Sequence, residues 1–213
     1  MINQLFFMLL GALLLLAIHV NGQQVTDTLS TKELKKYKEQ SRQLISFLEY
    51  SLNMLGNPET PTSEKDIIIH ESYRKIFRDS TVQIEDDLDE NRDMPISKDV
   101  QAYLKDIVFF FKEVSFAFEV KDIEHFVSEN NRLTFKLTLN RHLKGTNIDD
   151  EQVDNNQERY VEINLNKQEK QLNIVSIYTH NINRKEELRQ WWTQLPFRWR
   201  KVLGQKYALT DSL

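Results

Sequence analysis

The stretch VSFAFEVKDIEHFVSENNRLTFKLTLN, residues 114–140, decides the fold. Val114, Phe116, Phe118 and Val120 alternate with smaller or polar residues, and so do Leu133, Phe135, Leu137 and Leu139. A period of two places one apolar face on each strand. Asn130 and Asn131 supply turn chemistry between the two runs. Downstream, Val161, Ile163 and Leu165 repeat the alternation, and Asn166 with Lys167 marks the next turn. The last run, residues 172–179, is apolar on both faces, with Leu172, Ile174 and Tyr178 opposite Val175 and Ile177. That composition predicts a central strand covered on both sides.

Upstream of the meander the period is helical. Leu34, Tyr37, Leu44, Ile45, Leu48, Leu52 and Leu55 predict one long amphipathic helix from residue 32, stopped by Gly56, Asn57 and Pro58. Pro61, Thr62 and Ser63 open a second helix, with Glu64 and Asp66 in its first turn. Its buried side carries Ile68, Ile69, Tyr73, Ile76 and Phe77. A short strand at 81–85 and an acidic loop at 86–93 follow. Ser97 is then placed to cap a third helix with the stripe Val100, Leu104, Ile107, Val108 and Phe111.

Helices followed by an antiparallel meander predict an α+β domain with N-terminal helices packed on a curved sheet. Two helices, a strand, a helix and four long strands over residues 33–179 resemble the NTF2-like (cystatin-like) cone. The resemblance implies a sheet wrapped around the long first helix, on a scaffold that hosts enzymes, binders and assembly modules alike.

Residues 5–20 form one apolar run, too short and too near the N-terminus for a comfortable span. Val20 and Gly22 precede Gln23, so 1–22 reads as a signal peptide cleaved at Gly22, leaving a mature chain of about 190 residues. The n-region has no Lys or Arg, which leaves an uncleaved N-terminal anchor as the alternative. The expected destination is the bacterial envelope: periplasm, cell surface or medium. Further expected parts are a lead-in at 23–31, the α+β domain at 32–180, a helical segment at 184–204 and a tail at 205–213.

The chain has no cysteine, yet is long enough to bury a core without disulfides. A net charge of -4 gives no basic footprint for nucleic acid.

Motifs for chemistry are missing by residue. His70, His125, His142 and His180 show no ligand spacing, and His142 falls on the polar face of its strand with Thr138 and Asn140. Asp87, Asp89 and Asn91 open like a calcium loop, but Arg92 stands where glycine is needed and Lys98 where a bidentate glutamate should be. That segment, and Asp149, Asp150, Glu151 and Asp154, read as acidic surface loops. Glu119 and Glu162 fall on the outward parity of their strands. No phosphate loop, dinucleotide fingerprint, nucleophile elbow or zinc helix occurs. The expectation is therefore a chain without catalytic residues, metal or cofactor. Phe116, Phe118, Phe135, Leu137 and Ile163 would line any cavity in the cone, with a filled hydrophobic core as the plainer reading.

All three tryptophans fall between residues 191 and 199. Leu188, Trp191, Trp192, Leu195, Trp199 and Val202 suggest two short helices, the second opened by Pro196 and ended by Gly204. The pattern is similar to the W-W-x-x-L-x-x-x-W-[KR] segment that precedes leucine-rich repeats in secreted proteins of Bacteroidota. That resemblance implies docking of a protein partner or an adjoining repeat domain, although no repeats follow up to Leu213. Packing on the chain's own sheet and peripheral contact with a membrane, through Arg198, Arg200 and Lys201, are the other two readings. The functional expectation is an exported, non-enzymatic interaction module. Its alternative is a binder of a small apolar ligand.

Overall fold

The computed structural model describes residues 29–89, 96–127, 132–166 and 168–180. The chain divides into two compact units, residues 1–34 and 35–213. The expected signal peptide at 1–22 and the expected helical segment at 184–204 lie outside the described residues. Among the described residues no helix is long and apolar enough to cross a membrane.

Helix α1 (Thr31–Gly56) is capped by Ser30. The Ser30 hydroxyl accepts from the Glu33 N–H at 3.3 Å, and Glu33 Oε2 accepts from the Ser30 N–H at 2.9 Å. This reciprocal capping box fixes the start of the helix. Helix α2 (Thr62–His70) is shorter than its apolar stripe suggests. The chain tightens into a 3-10 turn at Ser72–Lys75, and Phe77 then bridges to Ile174. Tyr73, Ile76 and Phe77 are buried as predicted, but the backbone beyond the turn is drawn to the sheet instead of continuing a helix.

Strands β1 (Gln83–Glu85) and β2 (Ser97–Asp99) precede α3 (Val100–Phe110). Ser97 is not the cap, because it pairs with Glu85 in the β1–β2 ladder. Asp99 takes the role, its side chain accepting from the Ala102 N–H at 2.8 Å. Asp99→Ala is expected to lower stability by about 1 kcal/mol, read as a shift of the urea midpoint at unchanged slope. Asp99→Asn should restore most of it.

The meander follows as β3 (Phe111–Val127), β4 (Leu133–Asn147), β5 (Gln152–Asn166) and β6 (Gln171–Tyr178). Among the described residues the fold is α+β, with three α-helices packed on one six-stranded mixed sheet in the order β2-β1-β6-β5-β4-β3. All pairings are antiparallel except β1 with β6. Register shifts at Phe111/Glu113 and Val120/Asp122 in β3 bend and twist that strand. A third, at Glu162/Ile163, changes the reading of β6. Ile174 pairs with Ile163 and Ile177 with Val161, so both isoleucines face inward and Val175 is the extra residue. β6 is interior to the sheet, but strict alternation had placed Ile177 on the wrong face.

The inner face buries Phe135, Leu137, Leu139, Leu143, Val161, Ile163 and Ile174 against Ile45, Leu48, Leu52 and Leu55 of α1. α1 also protects the free edge of β3. Asn53 donates to the Phe116 carbonyl at 2.9 Å and accepts from its N–H at 2.8 Å. Glu49 accepts from the Phe118 N–H at 3.0 Å, and Lys38 donates to the Ile123 carbonyl at 2.7 Å. Each edge group satisfied in this way is withheld from strand addition.

Candidate functional site

From the last residue of β1 onward, three successive carboxylates each find a different partner. Glu85 accepts from the Thr179 hydroxyl at 2.7 Å and from the Thr179 N–H, and pairs with His180 at 3.2 Å. Burial works to raise its pKa, but the Thr179 hydrogen bonds, His180 and Arg159 outweigh it and hold the carboxyl below its ordinary range. Asp86 pairs with Lys98 at 2.6 Å, and Lys98 also bonds Asp106. Burial works to lower the Lys98 ammonium, yet Asp106 and Asp86 hold it above its usual value.

Asp87 enters the interior. Its Oδ2 lies 2.8 Å from Arg141 Nε and 3.3 Å from Arg159 Nη1, with all three side chains at most 4% exposed. None of these N–H groups is aimed along the contact, so the attraction is Coulombic and not a well-aligned hydrogen bond. The directed bonds go elsewhere. Arg141 donates to Asn155 Oδ1 at 2.5 Å, to Gln157 Oε1 at 3.1 Å and to the Asp87 carbonyl at 3.3 Å. Arg159 donates to the Glu85 carbonyl at 2.9 Å. Tyr103 donates to Asp87 Oδ1 at 2.9 Å. Burial first, and then the Asp87 charge, push the Tyr103 phenol well above its ordinary pKa and keep it a neutral donor.

This ionic cluster borders a void of about 20 Å³, also lined by Leu48, Leu52, Phe118 and Leu139. Such a space holds about one water molecule. Of the five residues expected to line a cavity in the cone, Phe118 borders this void, half-buried, while Phe116, Phe135, Leu137 and Ile163 are buried. The interior is thus nearly filled, but not with apolar groups alone.

A larger space opens between the β1–β2 connection, the α3–β3 junction and the β4–β5 hairpin. It has a volume of about 450 Å³. Leu88, Phe110, Phe111, Ile148 and Val153 form its apolar walls. Asp86, Asp89, Asp149, Glu151 and Asp154 bring carboxylates, and no Lys, Arg or His is among its described lining residues. The hairpin tip is braced by Asn147, whose Oδ1 accepts from the N–H groups of Asp149 at 3.0 Å and Glu151 at 2.9 Å. Asp150 takes a positive φ of 65° at the turn. Asp154 pairs on its other side with His142 at 2.7 Å; that hydrogen bond, opposed by slight burial, holds its pKa low.

One sequence expectation needs correcting. Asp86 and Asp87 are not part of an ordinary surface loop, since both are buried against cations. Asp87 lines the inner void and Asp89 the outer cavity. Among the described residues no group of three metal-ligating side chains converges. Glu162 does face outward, but it is buried there, accepting from Ser176 at 3.2 Å and Tyr178 at 3.3 Å. The proposed docking residues Leu188, Trp191, Trp192, Leu195, Trp199 and Val202 lie outside the described residues.

No family model matches the sequence, and no curated protein does. Among solved structures, the chain is similar to a protein assigned as a scytalone dehydratase from Novosphingobium aromaticivorans. That match has 10% identity over 72% of this chain and 94% of the other, with a TM-score of 0.43. It is similar to ActVI-ORFA from Streptomyces coelicolor, at 10% identity over 65% and 94%, with a TM-score of 0.37. It is also similar to the β subunit of benzoate 1,2-dioxygenase from Burkholderia mallei, at 12% identity over 74% and 94%, with a TM-score of 0.36. The reading of this chain as a non-enzyme does not stand beside these likenesses. Two of the three are named for a dehydratase and a dioxygenase subunit.

Proposed function

We propose that the protein is an exported binder of a small organic cation with an apolar body, held in the 450 Å³ cavity at the hairpin end of the sheet. The supporting observation is the lining itself. The volume falls within the usual range for small-molecule sites, and the walls combine aromatic and aliphatic surface with a few polar groups of one sign. An ammonium or amidinium group meets carboxylates from Asp89, Asp149, Glu151 and Asp154, while Phe110, Phe111 and Ile148 take the apolar part. Phe110 is 38% exposed and Ile148 46%, so both rims offer surface that a ligand would cover. Export rests on the apolar run at 5–20 and the small residues before Gln23. Binding is the step that a carrier and a catalyst on this scaffold share.

The test is calorimetric titration of the whole protein with alkyl- and arylammonium compounds beside carboxylates of matched shape. The ammonium compounds should bind, lose affinity as salt rises, and bind at least tenfold more weakly to the double variant Asp149→Asn/Glu151→Gln. Equal binding of the carboxylates, or indifference to the double variant, overturns the reading. Mass spectrometry of the protein recovered from an envelope fraction tests export, with a mature chain starting at Gln23 expected.

A further inference from the structure

Four residues on the outer face of β4, β5 and β6 are buried: Thr134 at 5% exposure, Tyr160 at 9%, Glu162 at 6% and Tyr178 at 4%. Their orientation follows from register, since Tyr160 pairs with Thr138 and Tyr178, and Glu162 with Lys136 and Ser176, while Val161 and Ile177 between them line the inner void. The described helices are on the inner side. Leu48 and Leu52 of α1 and Tyr103 of α3 border that same void, and α2 joins α3 through Gln101, which donates to the Ile69 carbonyl at 3.2 Å. None of these described elements accounts for the burial outside.

What is buried there is a built surface. The Tyr160 and Tyr178 rings stack with centroids 5.7 Å apart, 17° from parallel. The Lys136 ammonium sits 5.5 and 5.9 Å from the two centroids. Glu158 and Glu162 flank the pair, and Tyr160 donates to Glu158.

We infer that residues 184–204 of the same chain lie across this outer face, with the tryptophans over the Tyr160–Tyr178 pair. The chain leaves β6 at Tyr178, beside the platform, and continues through residues 181–213. That continuation brings Trp191, Trp192 and Trp199, each able to bury roughly 150–250 Å². It also brings Arg184, Lys185, Arg189, Arg198, Arg200 and Lys201 against only Glu186 and Glu187 in the same stretch. Basic side chains suit the Glu158 and Glu162 carboxylates, and guanidinium groups suit phenol faces. The tryptophans thereby complete the domain instead of reaching outward, and the outer face is closed to other partners.

The sequence makes the test direct, because it has no cysteine and all its tryptophans lie in the segment. In the full chain, a nitroxide quencher is attached at Asn140→Cys, on the outer face beside the platform, or at Glu64→Cys, on exposed α2. The expected result is quenching of the indole emission severalfold stronger from Asn140→Cys than from Glu64→Cys. In the unlabelled chain the indoles should resist acrylamide until the sheet itself unfolds in urea. Equal quenching from the two sites, or indoles open to acrylamide in the folded protein, overturns the inference. So does quenching between chains, when a labelled variant with all three tryptophans replaced by Phe is mixed with unlabelled protein; that outcome assigns the face to a second copy. If the label at Asn140→Cys frees the indoles to acrylamide while the unlabelled chain protects them, label and segment compete for one surface and the inference stands.

Discussion

Asp87→Ala is expected to cost about 3–5 kcal/mol of folding stability, because it leaves two guanidiniums buried without their shared carboxylate. Arg141 and Arg159 are 2% and 3% exposed, so neither reaches water without opening the sheet. Their remaining acceptors are neutral: the Asn155 and Gln157 amides and the backbone carbonyls of Glu85 and Asp87. Tyr103 also loses its acceptor. The triple replacement Asp87→Leu/Arg141→Met/Arg159→Leu removes every charge together, and such exchanges are neutral or stabilising by about 1–4 kcal/mol. Urea unfolding of both variants separates the two cases. A single variant within about 1 kcal/mol of the parent would show that the cluster is hydrated and not a buried ionic hub.

The second large effect lies at Val114, which is gripped from two sides by glycine. A Cβ at Gly56 would stand 2.1 Å from the Val114 carbonyl oxygen, and one at Gly145 would stand 2.3 Å from the Glu113 carbonyl oxygen. In each case the obstacle is strand backbone, which cannot rotate away. Gly56→Ala and Gly145→Ala are therefore each expected to cost near the upper end of the roughly 1–3 kcal/mol typical of overpacking. The sign is the informative part. At an open helical position, replacing glycine with alanine stabilises by roughly 0.5–1 kcal/mol. A gain at Gly56 would mean that the end of α1 stands clear of β3.

Much of the fold was legible, because periodicity is local. The capping box aside, the long helix and the three inner-facing runs follow from residues a few positions apart. The parity that put Leu137 and Leu139 inside also carries Arg141 and Leu143 inside, and parity traced back from Val161 carries Arg159 inside. Alternation alone therefore points both arginines inward, as it points His142 outward. What hid their role is distance: Asp87 is 54 residues from Arg141, and nothing near either residue announces the pairing. The bulge at Glu162/Ile163 had no local signal either, since either parity of β6 is apolar. The 450 Å³ cavity joins residues 86–89, 110–111 and 147–154, three stretches whose meeting belongs to the topology alone. Acidic loops that looked like ordinary solvated surface became its walls.

The parallel pairing of β1 with β6 orders events along the chain. Gln83 and Ile84 bond to Ser176 and Ile177, and Glu85 waits for Thr179, 94 residues later. A growing chain can form its helices and its first hairpin early, but the Glu85 carboxylate has no Thr179 to receive until the final strand is made. Closing so long a loop is slow, and until it closes the Glu85 carboxylate lacks its Thr179 hydrogen bonds. The last strand is therefore the latch: a chain stopped before residue 176 keeps its first two strands unplaced, however complete its helices are.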